Sequence, residues 1–201
     1  MGLGGIGPGG IGPGGTAGTG GEGTCPDATS VTAYATEGSN GQDLPAAYGW
    51  DLSNVATDLE QDDDVRLETV GFVLPDNWCH RLFLWGFDLS SIPDDATVLG
   101  IEVAVDRSIQ YSDAQTPVVQ DSLVSFLIKY PGSWWWSDNR DSADHWPASD
   151  EEIVYGGDRD PWGRTSTDPW TPEILEHPDL NLVLRAKVED AGPAGARMRL
   201  D

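Results

Sequence analysis

The sequence predicts an all-β protein, an antiparallel β-sandwich of the jelly-roll kind, that follows an extended glycine-rich arm. Short apolar runs alternate in polarity with a period of two, and a helical period of 3.6 is hard to find. Turn residues separate these runs, as in Tyr130-Pro131-Gly132 and Ala191-Gly192-Pro193. About eight such strands with turns between them are typical of a sandwich. We expect the arm to cover residues 1–29 and the sandwich residues 30–201.

The arm differs sharply in composition from the rest of the chain. Its segment Gly5-Ile6-Gly7-Pro8-Gly9 is repeated as Gly10-Ile11-Gly12-Pro13-Gly14. The repeat of five residues excludes a collagen helix, which needs glycine at every third position. Such a tract forms no core, so a disordered linker is one interpretation. The other is an arm that lies in a groove of a neighbouring subunit, with Ile6 and Ile11 as small apolar anchors.

The predicted strands follow one another along the remaining chain. In the clearest of them, Ile101, Val103 and Val105 fall on one face and polar residues alternate with them. The predicted strands are Ser30–Thr36, Asp64–Leu74, Leu82–Asp88, Val98–Ser108, Leu123–Tyr130, Glu152–Tyr155 and Asn181–Val188.

One helical turn is predicted within this β-rich sequence, beginning after Thr171. A threonine is a favoured N-cap residue, and proline is favoured at the first helical position, which Pro172 would occupy. The turn would end near Leu175.

The charge composition excludes several classes of ligand. The chain has 34 acidic and 11 basic residues and a formal net charge of −23. We therefore expect it to bind neither nucleic acid nor an anionic membrane. No apolar run approaches the roughly 18 residues of a membrane-spanning helix. Lys129 and Lys187 are the only lysines. This depletion predicts a protein of very salty surroundings, where the repulsion among its carboxylates is screened; an ordinary acidic surface is the alternative.

Trp134, Trp135 and Trp136 are the most unusual feature of the sequence. If they lie in a strand, at most two of the three share a face. Three interpretations remain open: stacking on a host-surface glycan, anchoring a subunit interface, or packing in the core.

Carboxylate clusters provide the candidate metal ligands. Asp158 and Asp160, between Gly157 and Trp162, are the best of them, and their hard oxygens would suit Ca²⁺ or Mg²⁺. The alternative is a hydrated acidic surface without a bound cofactor. Cys25 and Cys79 allow one disulfide, although two unpaired thiols are the favoured expectation.

We expect no enzymatic activity. The sequence has no Gly-x-Ser-x-Gly elbow and no His-Glu-x-x-His metal motif. His80, His145 and His177 are too widely spaced to suggest a ligand set.

Several segments, in sequence order, resemble a β-sandwich module of tailed-virus structural proteins. The longest, from Leu82 to Val103, is similar to the pattern "L-x-x-x-G-F-x-(L/F)-S-x-I-P-x-x-A-T-I-x-G-I-x-V". The resemblance spans roughly residues 45–201. The other matching segments are Trp50–Val55, Tyr155–Gly163, Trp170–Leu175 and Leu180–Arg185.

The resemblance implies a virion protein of a tailed virus: a tail, baseplate or fibre component, or a capsid decoration. Together with the acidic, lysine-poor composition, it indicates a virus that infects a halophilic archaeon. Its partners would be other virion proteins and further copies of itself. The alternative is a module that binds host-surface glycan through Trp134, Trp135 and Trp136. The chain stops at Arg197–Asp201, where the pattern has a full strand. We therefore expect the last strand to be short or supplied by a partner.

Overall fold

The structure is a computed structural model of the chain. It describes residues 29–42, 44–59, 66–111, 116–190 and 195–200. Ile6 and Ile11 of the predicted arm, and Cys25, lie outside these residues.

Ten strands and two short helices form the regular structure of the described ranges. The helices are α1 (Val55–Asp58) and α2 (Pro172–Leu175), and a single 3₁₀ turn covers Ala46–Tyr48. The strands are β1 (Glu37–Asn40), β2 (Leu67–Glu68), β3 (Asn77–Trp78), β4 (Leu82–Trp85), β5 (Glu102–Gln110), β6 (Val118–Tyr130), β7 (Ser133–Trp136), β8 (Glu151–Gly156), β9 (Leu180–Asp190) and β10 (Arg197–Leu200).

The strands form two antiparallel sheets. The four-stranded sheet has the order β2-β10-β5-β8. The six-stranded sheet has the order β1-β4-β9-β6-β7, with β3 also paired to β9. Without β1 and β3, eight strands remain, which can be numbered 1 to 8 in chain order. One sheet then has the order 1-8-3-6 and the other has the order 2-7-4-5. This is the arrangement of a jelly roll, so the predicted fold class is confirmed.

The hydrophobic core is shared by the inward faces of the two sheets. Val103 and Val105 of β5 belong to the same buried cluster as Phe126 of β6 and Leu182 and Leu184 of β9. Because alternate residues of a strand point to opposite faces, the row that faces the other sheet is buried and the other row faces outward. Ser125, Leu127 and Val183, in outward rows of the six-stranded sheet, are buried as well. The alternation predicted at Ile101, Val103 and Val105 is confirmed, since all three are buried and the residues between them are not.

The first predicted strand, Ser30–Thr36, is wrong in its position. Strand β1 begins at Glu37 and follows this stretch, in which the Thr36 amide donates to the Trp85 carbonyl at 3.1 Å and Tyr34 forms a single bridge. Ala33 and Ala35 are nevertheless buried in the core. Their alternation reflects burial against the sandwich, which sequence patterns do not distinguish from ladder pairing.

The predicted strand Asp64–Leu74 is also largely wrong, since β2 contains only Leu67 and Glu68. Farther along, single bridges join Thr69 to Trp50 and Val73 to Ala196.

The last strand is short, as expected, but the chain supplies it itself. Strand β10 lies between β2 and β5, so it occupies an interior position of its sheet. No gap for a partner's strand exists at this position.

Candidate interaction surface

The three consecutive tryptophans lie on β7, an edge strand of the six-stranded sheet. Pro131 and Gly132 connect β6 to β7 by a tight hairpin, with Ser133 paired to Tyr130. Gly132 has a φ of 84°, which suits the third position of a type II turn. Sequence analysis did not predict β7, because three identical residues carry no alternation.

Trp134 and Trp136 share the outward face of β7. Trp134 is 59% exposed and Trp136 is 42% exposed. Trp134 pairs across the strands with Lys129, whose ammonium group lies 5.5 Å from the Trp134 ring centroid. Trp136 pairs with Leu127, which is buried on the same face. Two large aromatic side chains thus stand side by side in solvent on one strand.

Trp135 points the other way and packs against the core. The Arg164 guanidinium lies 4.3 Å from the Trp135 ring centroid and 4.7 Å from that of Trp170. The two indole rings meet edge to face at 5.4 Å. Arg164 is buried and forms an ion pair with Asp168 at 3.1 Å. The guanidinium thus contacts both rings where they meet, and these contacts and Asp168 compensate the buried charge, whereas the Arg164 Nε has no hydrogen-bond partner among the described residues.

Helix α2 begins directly after Trp170 and helps to hold it. The Thr171 side chain accepts a hydrogen bond from the Ile174 amide at 3.3 Å, and Pro172 follows the cap. The predicted capped turn is therefore confirmed. The Trp170 indole donates to the carbonyl of Pro161 at 2.8 Å.

Further aromatic residues share the outward face of the six-stranded sheet with Trp134 and Trp136. Phe83 and Trp85 alternate with the buried Leu82 and Leu84 on β4, and Trp78 pairs with Lys187 of β9. We call this set the aromatic face; it consists of Trp78, Phe83, Trp85, Trp134 and Trp136. Sequence analysis did not single out Trp78, Phe83 or Trp85, because their common orientation depends on the pairing of strands distant in the chain.

Strand β7 is an edge with no charged residue among its four members. Strand β8, an edge of the other sheet, instead carries the exposed Glu151 and Glu152. Charges on edge strands discourage pairing with other chains, and uncharged edges permit it. Among the described strands, β7 therefore combines an edge position with two exposed tryptophans.

The candidate metal ligands are not brought together with other ligands. The Asp160 carboxylate accepts two hydrogen bonds from Arg140, at 2.7 and 2.8 Å, and one from the Trp162 amide at 2.8 Å. These hydrogen bonds hold the pKa of Asp160 below its usual range, and those from Arg140 have the largest effect. Asp158 is exposed. Among the residues that the structure describes, no three His, Cys, Asp or Glu form a metal-binding group.

The cysteine prediction is tested at one of its two positions. Cys79 is a free, fully buried thiol, and its sulfur accepts a hydrogen bond from the Ala186 amide at 3.2 Å. Burial raises the pKa of Cys79 to about 12. Cys25 lies outside the described part of the chain.

Comparisons with protein-family models, curated proteins and solved structures found no match for this chain. Within the described residues, no helix is long and apolar enough to cross a membrane.

Proposed function

We propose that this chain is a structural subunit of a tailed-virus particle whose host lives in high salt. It acts by assembly, with further copies of itself and with other virion proteins, and it resides in the virion. The observation that carries the proposal is the pair Trp134 and Trp136, exposed on an uncharged edge strand. Tryptophan is strongly enriched among the residues that dominate binding energy at protein interfaces.

Composition and sequence pattern support the setting. The net charge of −23 and the presence of only two lysines are suited to concentrated salt, which screens the repulsion between subunits. The resemblance of residues 45–201 to a tailed-virus module supports the virion. The proposal assigns the chain no catalysis, no nucleic-acid ligand and no membrane ligand, and it gives the arm with Ile6 and Ile11 a role in contacting a neighbour.

The mass of the purified full chain by light scattering tests this proposal. We expect a defined multimer at about 1 M salt, where the Debye length is about 3 Å, and dissociation at about 0.01 M salt, where it is about 30 Å. Deletion of residues 1–24 is expected to weaken assembly. A monomer at both salt concentrations, alone and with the other virion proteins, would show that the proposal is wrong.

A second candidate function is binding to host-surface glycan. The exposed faces of Trp134 and Trp136 favour it, because flat aromatic rings can stack on the apolar faces of sugars. A screen of immobilised glycans, with Trp134→Ala as the comparison, separates the two functions. Glycan binding that Trp134→Ala abolishes, by a chain that stays monomeric, would favour this second function.

A further inference from the structure

We propose that the copies stack head to tail, with the aromatic face of one sandwich docked on an acidic face of the next. This inference rests on the proposed assembly function and identifies its contact. The acidic face consists of the outward residues of β5 and β8 in the four-stranded sheet: Glu102, Ala104, Asp106, Glu152 and Val154.

The aromatic face carries a concentration of positive charge that is unusual for this chain. Both lysines lie on it: Lys129 against the Trp134 ring, and Lys187 at 5.3 Å from the Trp78 ring centroid. The Arg185 guanidinium lies 5.4 Å from the same ring. Glu189 forms an ion pair with Lys187 at 2.8 Å, so the positive charge there is partly compensated. Glu37 of β1, which pairs with Trp85, is a second carboxylate on this face. Three cations against two carboxylates are a small excess of positive charge, in a chain with about three times as many acidic as basic residues.

The aromatic face also offers exposed tryptophans at two places, Trp134 and Trp136 beside Lys129 and Trp78 beside Lys187. Lys129 and Gln120, which pairs with Lys187, are nine residues apart on β6, so the two cationic clusters are about 30 Å apart. Leu127 and Val183, on the same face, are buried, so the exposed tryptophans form the contact that we propose.

The acidic face is complementary in charge and in pattern. In the β5–β8 register, Ala104 lies opposite Val154, and Asp106 opposite Glu152. Val154 is 46% exposed, one of the few large hydrophobic side chains that face solvent. Carboxylates of Glu102, Asp106 and Glu152 therefore surround a small apolar centre on β5 and β8. Arg197 and Arg199 of the neighbouring β10 lie on the same side of this sheet, where both form ion pairs with Glu68.

The positions of the two faces determine the type of assembly. They are the outward faces of the two sheets, so they lie on opposite sides of the sandwich. A symmetric dimer through the aromatic face would bring the cations of two copies together. Docking of unlike faces instead leaves a free face at each end, and repetition gives a ring or a filament. Salt at about 1 M screens repulsion between whole subunits and has less effect on ion pairs in direct contact.

Complementation between two surface variants tests the head-to-tail contact. Lys129→Glu damages only the aromatic face, and Glu152→Lys damages only the acidic face; both residues are exposed. Each variant alone is expected to need at least about tenfold more protein to assemble, because like charges then meet. A mixture of both retains one intact face of each kind, so it should form complexes heavier than either variant alone.

Arg159→Glu is the control for Lys129→Glu, since Arg159 is exposed on a loop and both substitutions change the net charge by the same amount. It should assemble as the wild type does, and near-ultraviolet circular dichroism checks the fold of every variant. Lys187→Glu repeats the test at the other cationic cluster. The inference is wrong if Lys129→Glu and Lys187→Glu assemble normally, if Arg159→Glu is equally impaired, or if the mixture regains no mass.

Two further outcomes separate this inference from the proposed function. If the wild type assembles but the mixture of variants does not, assembly stands and the head-to-tail contact is wrong. If the wild type stays monomeric, alone and with the other virion proteins, while polygalacturonate quenches its tryptophan fluorescence but not that of Trp134→Ala, an acidic glycan occupies the aromatic face and both proposals are wrong.

Discussion

Arg107 on β5 and Asp121 on β6 form an ion pair inside the sandwich, and each side chain is only 4% exposed. Asp121 also accepts hydrogen bonds from the Tyr155 hydroxyl at 2.7 Å and the Trp146 indole at 2.9 Å. Burial, and then the negative charge of Asp121, raise the pKa of Tyr155 above its usual value. This network joins strands of both sheets through buried polar groups.

Removing one partner of this ion pair should strongly destabilise the fold. Asp121→Asn leaves Arg107 buried without its counter-charge, and we expect the free energy of unfolding to fall by about 3–5 kcal/mol. Urea denaturation in high salt measures the change. The exposed pair Lys187 and Glu189 provides the control, since Glu189→Gln should have little effect. A loss for Asp121→Asn as small as that of the control would contradict the assigned role.

Arg164 should determine the environment of Trp135. Arg164→Ala removes the cation that contacts both the Trp135 and Trp170 rings, so we expect a weaker near-ultraviolet circular dichroism signal and a loss of about 2 kcal/mol or more of stability. Arg159→Ala, at an exposed arginine, is the control. Unchanged aromatic spectra in Arg164→Ala would mean that Arg164 does not contact the Trp135 and Trp170 rings in solution.

Much of the fold can be predicted from the sequence, but the cluster of Arg164, Trp135 and Trp170 cannot. The cap at Thr171 depends on residues within one turn, and the alternation of Ile101, Val103 and Val105 depends on one strand. Such local patterns are visible in a single sequence. Arg164 meets Trp135 only after a hairpin and a long loop have folded together, so no spacing in the sequence indicates it. The outward orientation of Trp134 and Trp136 likewise depends on the pairing of β7 with β6, which the sequence does not indicate.

Cys79 should be chemically inert in the folded protein. With the pKa raised to about 12, about one Cys79 thiol in ten thousand is ionised at pH 8, and burial also excludes reagents. In a Cys25→Ser variant, a maleimide reagent should label Cys79 only after the chain is unfolded. Mass spectrometry measures the labelling. Rapid labelling of the native variant would show that Cys79 is accessible.

The ion pair of Asp160 and Arg140 should contribute to stability in a pH-dependent way. The pKa of Asp160 is lowered on folding, so its contribution is complete above the unfolded value of about 3.9 and is lost as the pH falls through the folded value. The stability difference between the wild type and Asp160→Asn should therefore shrink as the pH falls from about 5 to about 2. Parallel unfolding measurements test this, and a difference that does not vary with pH would refute it.

The central claim is that the two exposed tryptophans of β7 join subunits. Light scattering of the double variant Trp134→Ser/Trp136→Ser at about 1 M salt, beside wild type and Val154→Asn, tests it most directly. Val154→Asn replaces an equally exposed hydrophobic residue on the edge strand of the other sheet and retains the carboxylates around it. The account predicts a monomeric double variant, a multimeric wild type and a Val154→Asn variant that is weakened less. A double variant that keeps the wild-type mass would contradict it.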